Sequence, residues 1–153
     1  MKYASLVLAL FLPSTVMGAE YLEEAETEVY QTTGTVKEIT QKAKTCIAQT
    51  ISAGGADLFL DVNIDSGTIT ANCSTSYTSM LVGHTVKSKM TFLAKENRFR
   101  MRHMNIEEAI ENGEFTRVGK WAGSGWKTIQ KSLFDVSGKI AKCVQADSKK
   151  EEW

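Results

Sequence analysis

The sequence predicts one α+β domain, in which a strand and a helix precede a four-stranded antiparallel meander and a second helix. Apolar residues recur at helical spacing near both ends of the domain, and they alternate with polar residues between. Short connections place such consecutive strands side by side, so the two long helices are expected to pack on one face of the sheet. The 153 residues suffice for a single core.

The N-terminus resembles a secretory leader. Lys2 precedes an apolar run that is too short to span a bilayer, and small residues precede Ala19. Cleavage is therefore predicted near Gly18/Ala19, with a periplasmic or secreted product and no stable membrane insertion; an uncleaved anchor is the alternative. The predicted divisions are a signal peptide at 1–18, an acidic segment at 19–28, the α+β domain at 29–146 and a polar tail at 147–153.

The first elements of the domain are a short strand and a capped helix. Val29–Thr33 has the β-branched and aromatic content of a strand. Thr35 followed three residues later by Glu38 is a capping box, and Gly54 is a stop signal. These signals predict a helix over residues 36–53.

The meander begins after this helix, where the apolar period changes to two. Leu58, Leu60, Val62 and Ile64 are predicted to face the core, and residues 65–67 to form a hairpin turn. Further strands are expected at about 68–74, 85–92 and 98–103, with a Ser/Thr-rich connection between the first two of them.

The last part of the domain is predicted to be helical. Asn105 can cap a short helix that includes Glu108 and ends at Asn112-Gly113. A second amphipathic helix is predicted from about Gly125 to Gln145.

This combination of elements resembles a bacterial secreted family of unknown function with a TATA-binding-protein-like (TBP-like) fold. The resemblance covers about residues 27–146 and includes the capped helix, the 65–67 hairpin, the basic-aromatic strand Asn97–Met101 and the late tryptophan-led helix. It implies the fold, but no established activity and no catalytic residues. A fold shared with a DNA-binding protein does not imply DNA binding, because function depends on particular sites.

Three cysteines in an exported chain allow one disulfide and one odd thiol. Cys46, Cys73 and Cys143 all fall on core-facing positions, so every pairing is compatible with the pattern. Cys46–Cys143 is preferred, with Cys73 free, because it joins two helices expected to be neighbours. Three buried thiols are the alternative.

One predicted sheet face carries a cluster of cations. Alternation places them on the side opposite the helices, where they could receive an acidic protein or another anionic ligand. A solvated face that prevents aggregation is the alternative. The five residues are Lys87, Lys89, Arg98, Arg100 and Arg102.

A glycine-rich loop with two tryptophans is the second candidate. Trp121 and Trp126 could stack on a glycan or contact a lipid, or they could close the start of the last helix against the core. The loop lacks the spacing of a phosphate-binding loop.

No pattern in the chain predicts an enzyme, a metal or another cofactor. His84 and His103 have no evident third ligand, and no nucleophile motif is present. Basic and acidic side chains are equal in number, 18 each, and no aromatic residues interleave the basic face, so nucleic acid is not expected. The sequence therefore predicts a non-enzymatic binding or accessory protein of the bacterial envelope. It recognises a protein partner through the basic face, as an inhibitor or immunity-type protein would, or carries or senses a lipid or glycan. The oligomeric state stays open.

Overall fold

The computed structural model describes residues 20–146 and confirms the α+β class. The predicted leader at 1–18, its cleavage site at Gly18/Ala19 and the predicted tail at 147–153 lie outside the described residues. The elements are β1 (Glu24–Glu26), β2 (Tyr30–Gln31), α1 (Val36–Thr50), β3 (Phe59–Asn63), β4 (Thr68–Ser79), β5 (Val82–Lys95), β6 (Arg98–Ile110), β7 (Thr116–Arg117) and α2 (Trp126–Gln145).

The strands form one antiparallel sheet in which β3, β4, β5 and β6 lie in chain order. The outer edge of β6 pairs with three short strands, β1, β2 and β7. The edge of β4 pairs with β3 only over residues 68–71, followed by one bridge between Ser52 and Ser74. The edge of β6 is therefore covered along most of its length by the three short strands. The opposite edge, on β4, is covered only at its N-terminal end.

Both helices pack on the same face of the sheet. A main core cluster joins α1 and α2 to the inward side chains of β4, β5 and β6, including Ile47, Ile69, Phe92 and Ile140. The disulfide Cys46–Cys143 connects the two helices within this cluster, with 5.8 Å between the Cα atoms, and Cys73 is a buried free thiol. A second core cluster lies beneath the first half of α2 and contains Leu22, Ala25, Val86, Ile106, Val118, Ile129 and Leu133.

The helix termini follow the predicted signals with one change. The Thr35–Glu38 capping box is present, whereas α1 ends at Thr50 and not at residue 53. Ile51 is already extended, and Ser52 bridges to β4, so pairing with the sheet ends the helix before Gly54.

The predicted short helix after Asn105 is wrong, because β6 continues to Ile110. Asn105 has a φ of 51°, and Asn105 and Ile106 together oppose Ser88, which is the geometry of a β-bulge. Asparagine favours both helix caps and left-handed bulge positions, so the sequence signal fits either structure. The bulge keeps both His103 and Ile106 on the buried side.

The Ser/Thr-rich connection predicted after Ser74 is also wrong. Residues 74–79 extend β4, and Met80–Leu81 alone form the turn to β5. The long β4–β5 hairpin therefore replaces a loop.

Two predictions at the other strands need correction. A register shift between Phe59 and Asp61 leaves Leu60 48% exposed, whereas Phe59 and Val62 pack on the core. The strand predicted at 29–33 is reduced to Tyr30–Gln31.

The folded domain begins before residue 29. The predicted acidic segment 19–28 contains β1, and its Leu22 and Ala25 are buried. This segment is therefore part of the sheet and core.

Candidate binding surface

The five predicted cations project from neighbouring strands, β5 and β6. Their inward neighbours, such as Met90 and Met101, are fully buried beneath the helices. Strand alternation then places Lys87, Lys89, Arg98, Arg100 and Arg102 on the opposite face, which is called the outer face below.

Two of the five cations form ion pairs with glutamates of the acidic segment. Arg100 Nη1 lies 2.5 Å from Glu26 Oε1, and Arg102 contacts both Glu26 at 2.8 Å and Glu24 at 3.1 Å. The hydrogen bond to Glu26 raises the pKa of Arg102. Pairing of β1 with β6 builds this network, so Arg100 and Arg102 hold the edge of the sheet together and are less available to a partner.

The other three have no ion pair within residues 20–146. Lys89 and Arg98 are exposed, while the ammonium of Lys87 lies 4.1 Å from the centre of the Phe115 ring. Lys95, directly opposite Arg98 at the hairpin end, adds a fourth cation without an ion pair. From Lys87 to Lys95 the strand advances about 27 Å at about 3.4 Å per residue.

A shallow groove of about 680 Å³ opens on the outer face beside the Asn105 bulge. It combines two of the predicted cations with amide and apolar groups that sequence reasoning did not select, because the bulge that brings them together was not predicted. Near the two lysines, ammonium and amide groups are donors that can bind a carboxylate. The groove is lined by Asn72, Lys87, Lys89, Met104 and Asn105, and its border also carries Glu23, Glu107 and Arg117.

The two predicted tryptophans have different environments. Trp126 begins α2 and packs against the second core cluster, on the helix side of the sheet. Trp121 is 56% exposed, and its ring lies over Gly119, where a Cβ would be only 1.4 Å from the indole. Trp126 is therefore partly buried against the core, with Lys120 and Lys127 over its ring, whereas most of the Trp121 side chain is exposed.

His103 is a fully buried residue within a hydrogen-bonded chain of three side chains. Its Nδ1 lies 2.9 Å from Ser88 Oγ and its Nε2 lies 2.8 Å from Ser137 Oγ. Burial lowers the pKa of His103 to about 4, and burial raises the pKa of the Cys73 thiol to about 11. Both groups are neutral near pH 7 and shielded from solvent, which suits a structural role.

Tyr77, His84 and Glu108 form a second polar cluster on the helix side. The Tyr77 hydroxyl donates to Glu108 Oε1 at 2.6 Å, and His84 Nδ1 lies 2.7 Å from the same oxygen. The Tyr77 and His84 rings stack with centroids 4.6 Å apart. Burial, followed by the bond to Glu108, raises the pKa of Tyr77. The sequence did not reveal this cluster, because Glu108 was assigned to a helix.

Within the described range, no three His, Cys, Asp or Glu side chains are placed to share a metal ion. The same range contains no helix that is both long enough and apolar enough to cross a membrane.

One antiparallel sheet with two long helices on one face defines a small α+β protein with a TBP-like fold. Two crystal structures share it, each at a TM-score of 0.62 and 12% identity. A TBP-like protein from Parabacteroides distasonis matches 80% of this chain and 92% of its own. A DUF4468 family protein from Bacteroides ovatus matches 83% of this chain and 88% of its own. No family model and no curated protein matches the sequence. The neighbours confirm the TBP-like fold that the sequence resemblance implies.

Proposed function

We propose that this chain is an exported, non-enzymatic binding protein of the bacterial envelope that recognises an acidic segment of a partner protein through its outer face. The observation that carries the proposal is the row of four cations, Lys87, Lys89, Lys95 and Arg98, that lack an ion pair within residues 20–146. The four cations lie along the β5–β6 hairpin, over a distance that an extended peptide of about eight residues would span.

The distribution of charge over the outer face supports an acidic partner. The acidic strand β1 neutralises Arg100 and Arg102, so the cations that remain lie along β5 and at the β5–β6 turn. Complementary charge steers association and selects partners, and its contribution weakens as salt rises. The disulfide agrees with an oxidising compartment outside the cytoplasm.

The test compares capture from a native envelope extract by the wild type and by Lys89→Glu/Arg98→Glu. These two side chains are exposed and unpaired in the described structure, so the reversal leaves the β1–β6 network intact. The matched control is Lys44→Glu/Lys139→Glu, which makes the same charge change on exposed positions of the two helices.

A protein retained by the wild type and by the helix control, lost from Lys89→Glu/Arg98→Glu and released by added salt supports the proposal. Equal retention by all three baits would reduce the outer face to a solvated surface.

A second candidate function, binding of a glycan or lipid, rests on Trp121 alone. An exposed indole that contacts Gly119 in a glycine-rich loop offers a stacking surface for a sugar ring. A small molecule that copurifies with the wild type and is absent from Trp121→Ala would support this function, and it would favour it over the first if no protein is captured through the outer face.

A further inference from the structure

We propose that two copies of this chain pair through the C-terminal part of the β4 edge, residues 75–79, as an antiparallel two-fold dimer. This inference is independent of the basic face. It rests on the backbone groups of one strand segment and on the composition of the hairpin that carries it.

The C-terminal part of β4 is an open sheet edge. On one side, residues 75–79 pair with β5 throughout. On the other side, Asn72 N–H donates to Leu58 and Ser74 N–H to Ser52, and no backbone group of residues 20–146 continues that ladder. Because alternate residues of a strand point their N–H and C=O to the same side, Ser76 and Thr78 present both groups to the open edge.

This edge lacks the usual protection against pairing. Natural proteins cover edge strands or place lysine, proline or a bulge on them. The β6 edge is covered by β1, β2 and β7, and β3 is short, irregular and carries Asp61. By contrast, residues 66–86 contain no Asp, Glu, Lys, Arg or Pro.

A second copy fits the open edge in one symmetric register. If Tyr77 lies opposite its own copy, Ser76 of each chain faces Thr78 of the other. The N–H and C=O groups of both residues then meet in two closely spaced pairs, and four hydrogen bonds form across the axis. The pairing is limited by Ser74, whose N–H is already used, and by the turn at Met80.

The apolar turn of the hairpin supports a second copy as the occupant. Met80 and Leu81 are 93% and 99% exposed, and both have positive φ, at 49° and 69°. This two-residue geometry favours Asn-Gly, so large apolar residues there are costly to the monomer. In the proposed register Met80 falls opposite Ser74 of the other copy, beside its 52–56 segment with Ala53 and Ala56. Dimerisation then shields side chains that the monomer exposes.

The register gives a charge test. Ser76 and Thr78 point to the outer face at the open edge, where lysine is tolerated. In Ser76→Lys/Thr78→Lys each lysine faces a lysine of the other copy, whereas in Ser76→Glu/Thr78→Lys each glutamate faces a lysine. The control is Thr70→Lys, on the same strand and face but within the part covered by β3.

The measurement is sedimentation equilibrium of purified protein from micromolar to millimolar concentration, with circular dichroism to check folding. The wild type and Thr70→Lys are expected to show a monomer–dimer equilibrium. We expect the dissociation constant to rise at least tenfold in the Lys/Lys variant and to return towards the wild-type value in the Glu/Lys variant. A wild type that stays monomeric at millimolar concentration, or two double variants that dissociate alike, overturns the proposal and leaves the edge to a strand from another protein.

Discussion

The two ends of the β4–β5 hairpin differ in how firmly they are built. The end near residues 68–73 and 88–95 lies beneath both helices, pairs with β3 and is held by Cys46–Cys143. The end at residues 75–86 has a smaller cluster beneath α2, an uncovered edge and an exposed apolar turn. The first is called the disulfide end and the second the open end. Their difference indicates that stability resides mainly in one part of the sheet, while the other keeps surface free for contact.

Removal of the disulfide is expected to have the largest effect. The bond spans 97 residues, and closing so long a loop stabilises a protein by about 4 to 5 kcal/mol in the chain-entropy model. Cys46→Ala/Cys143→Ala should therefore lower the free energy of unfolding by about that amount in urea titrations. Cys73→Ala, which removes a buried thiol outside the bond, should cost less. Similar losses in the two variants would show that the bond does not dominate the disulfide end.

His103 lies opposite Met90 and bonds to Ser88, at the border of the disulfide end, and it predicts that stability depends on pH. Burial lowers its pKa from 6.5 to about 4, so between these values the unfolded chain binds a proton that the folded chain does not. Above pH 6.5 His103 is neutral in both states and does not lower stability. As the pH falls from 6.5 to 4, protonation of the unfolded chain lowers the free energy of unfolding by about 3 kcal/mol.

The measurement is urea unfolding of the wild type and of His103→Gln at pH 7 and pH 4. Carboxylates contribute to both proteins, so the difference between them isolates the histidine. The wild type should lose more stability on acidification than the variant, and parallel pH profiles would contradict a buried neutral imidazole.

Substitution of one glycine at each end tests how tightly the two ends are packed. Gly67 has a φ of 77°, and a Cβ there would lie 2.7 Å from the Ala94 carbonyl oxygen and from Val36. Gly67→Ala at the disulfide end should cost about 2 kcal/mol. A Cβ on Gly83, at the open end, meets nothing within 4 Å, so Gly83→Ala should leave stability unchanged or raise it by about 0.5 kcal/mol. Equal costs in thermal or urea unfolding would mean that the open end is packed as tightly as the other.

The sequence predicted the disulfide end better than the open end, for a physical reason. Helical period, the Thr35–Glu38 cap and strand alternation are local signals, and they identified α1, α2 and the inward side of β6. The extension of β4 depends on pairing with β5 across the sheet, which the polar composition of residues 74–79 does not reveal. The bulge at Asn105 and the pairing of Glu24 and Glu26 with the arginines likewise arise from contacts between distant segments. Strand alternation therefore predicted which face of the sheet carries the five cations, whereas their division into ion-paired and unpaired groups required the fold.

The turn at Met80–Leu81 gives a modest expected effect and the one that best separates the two ends. Both residues adopt positive φ, which suits Asn-Gly and disfavours large side chains. Met80→Asn/Leu81→Gly should raise the free energy of unfolding by about 1 kcal/mol when measured at concentrations too low for dimers. If the apolar turn serves the proposed dimer, the same variant should also associate more weakly in sedimentation. Greater stability with weaker association would show that the open end gives up monomer stability for contact, whereas a destabilised variant would mean that Met80 and Leu81 support the hairpin itself.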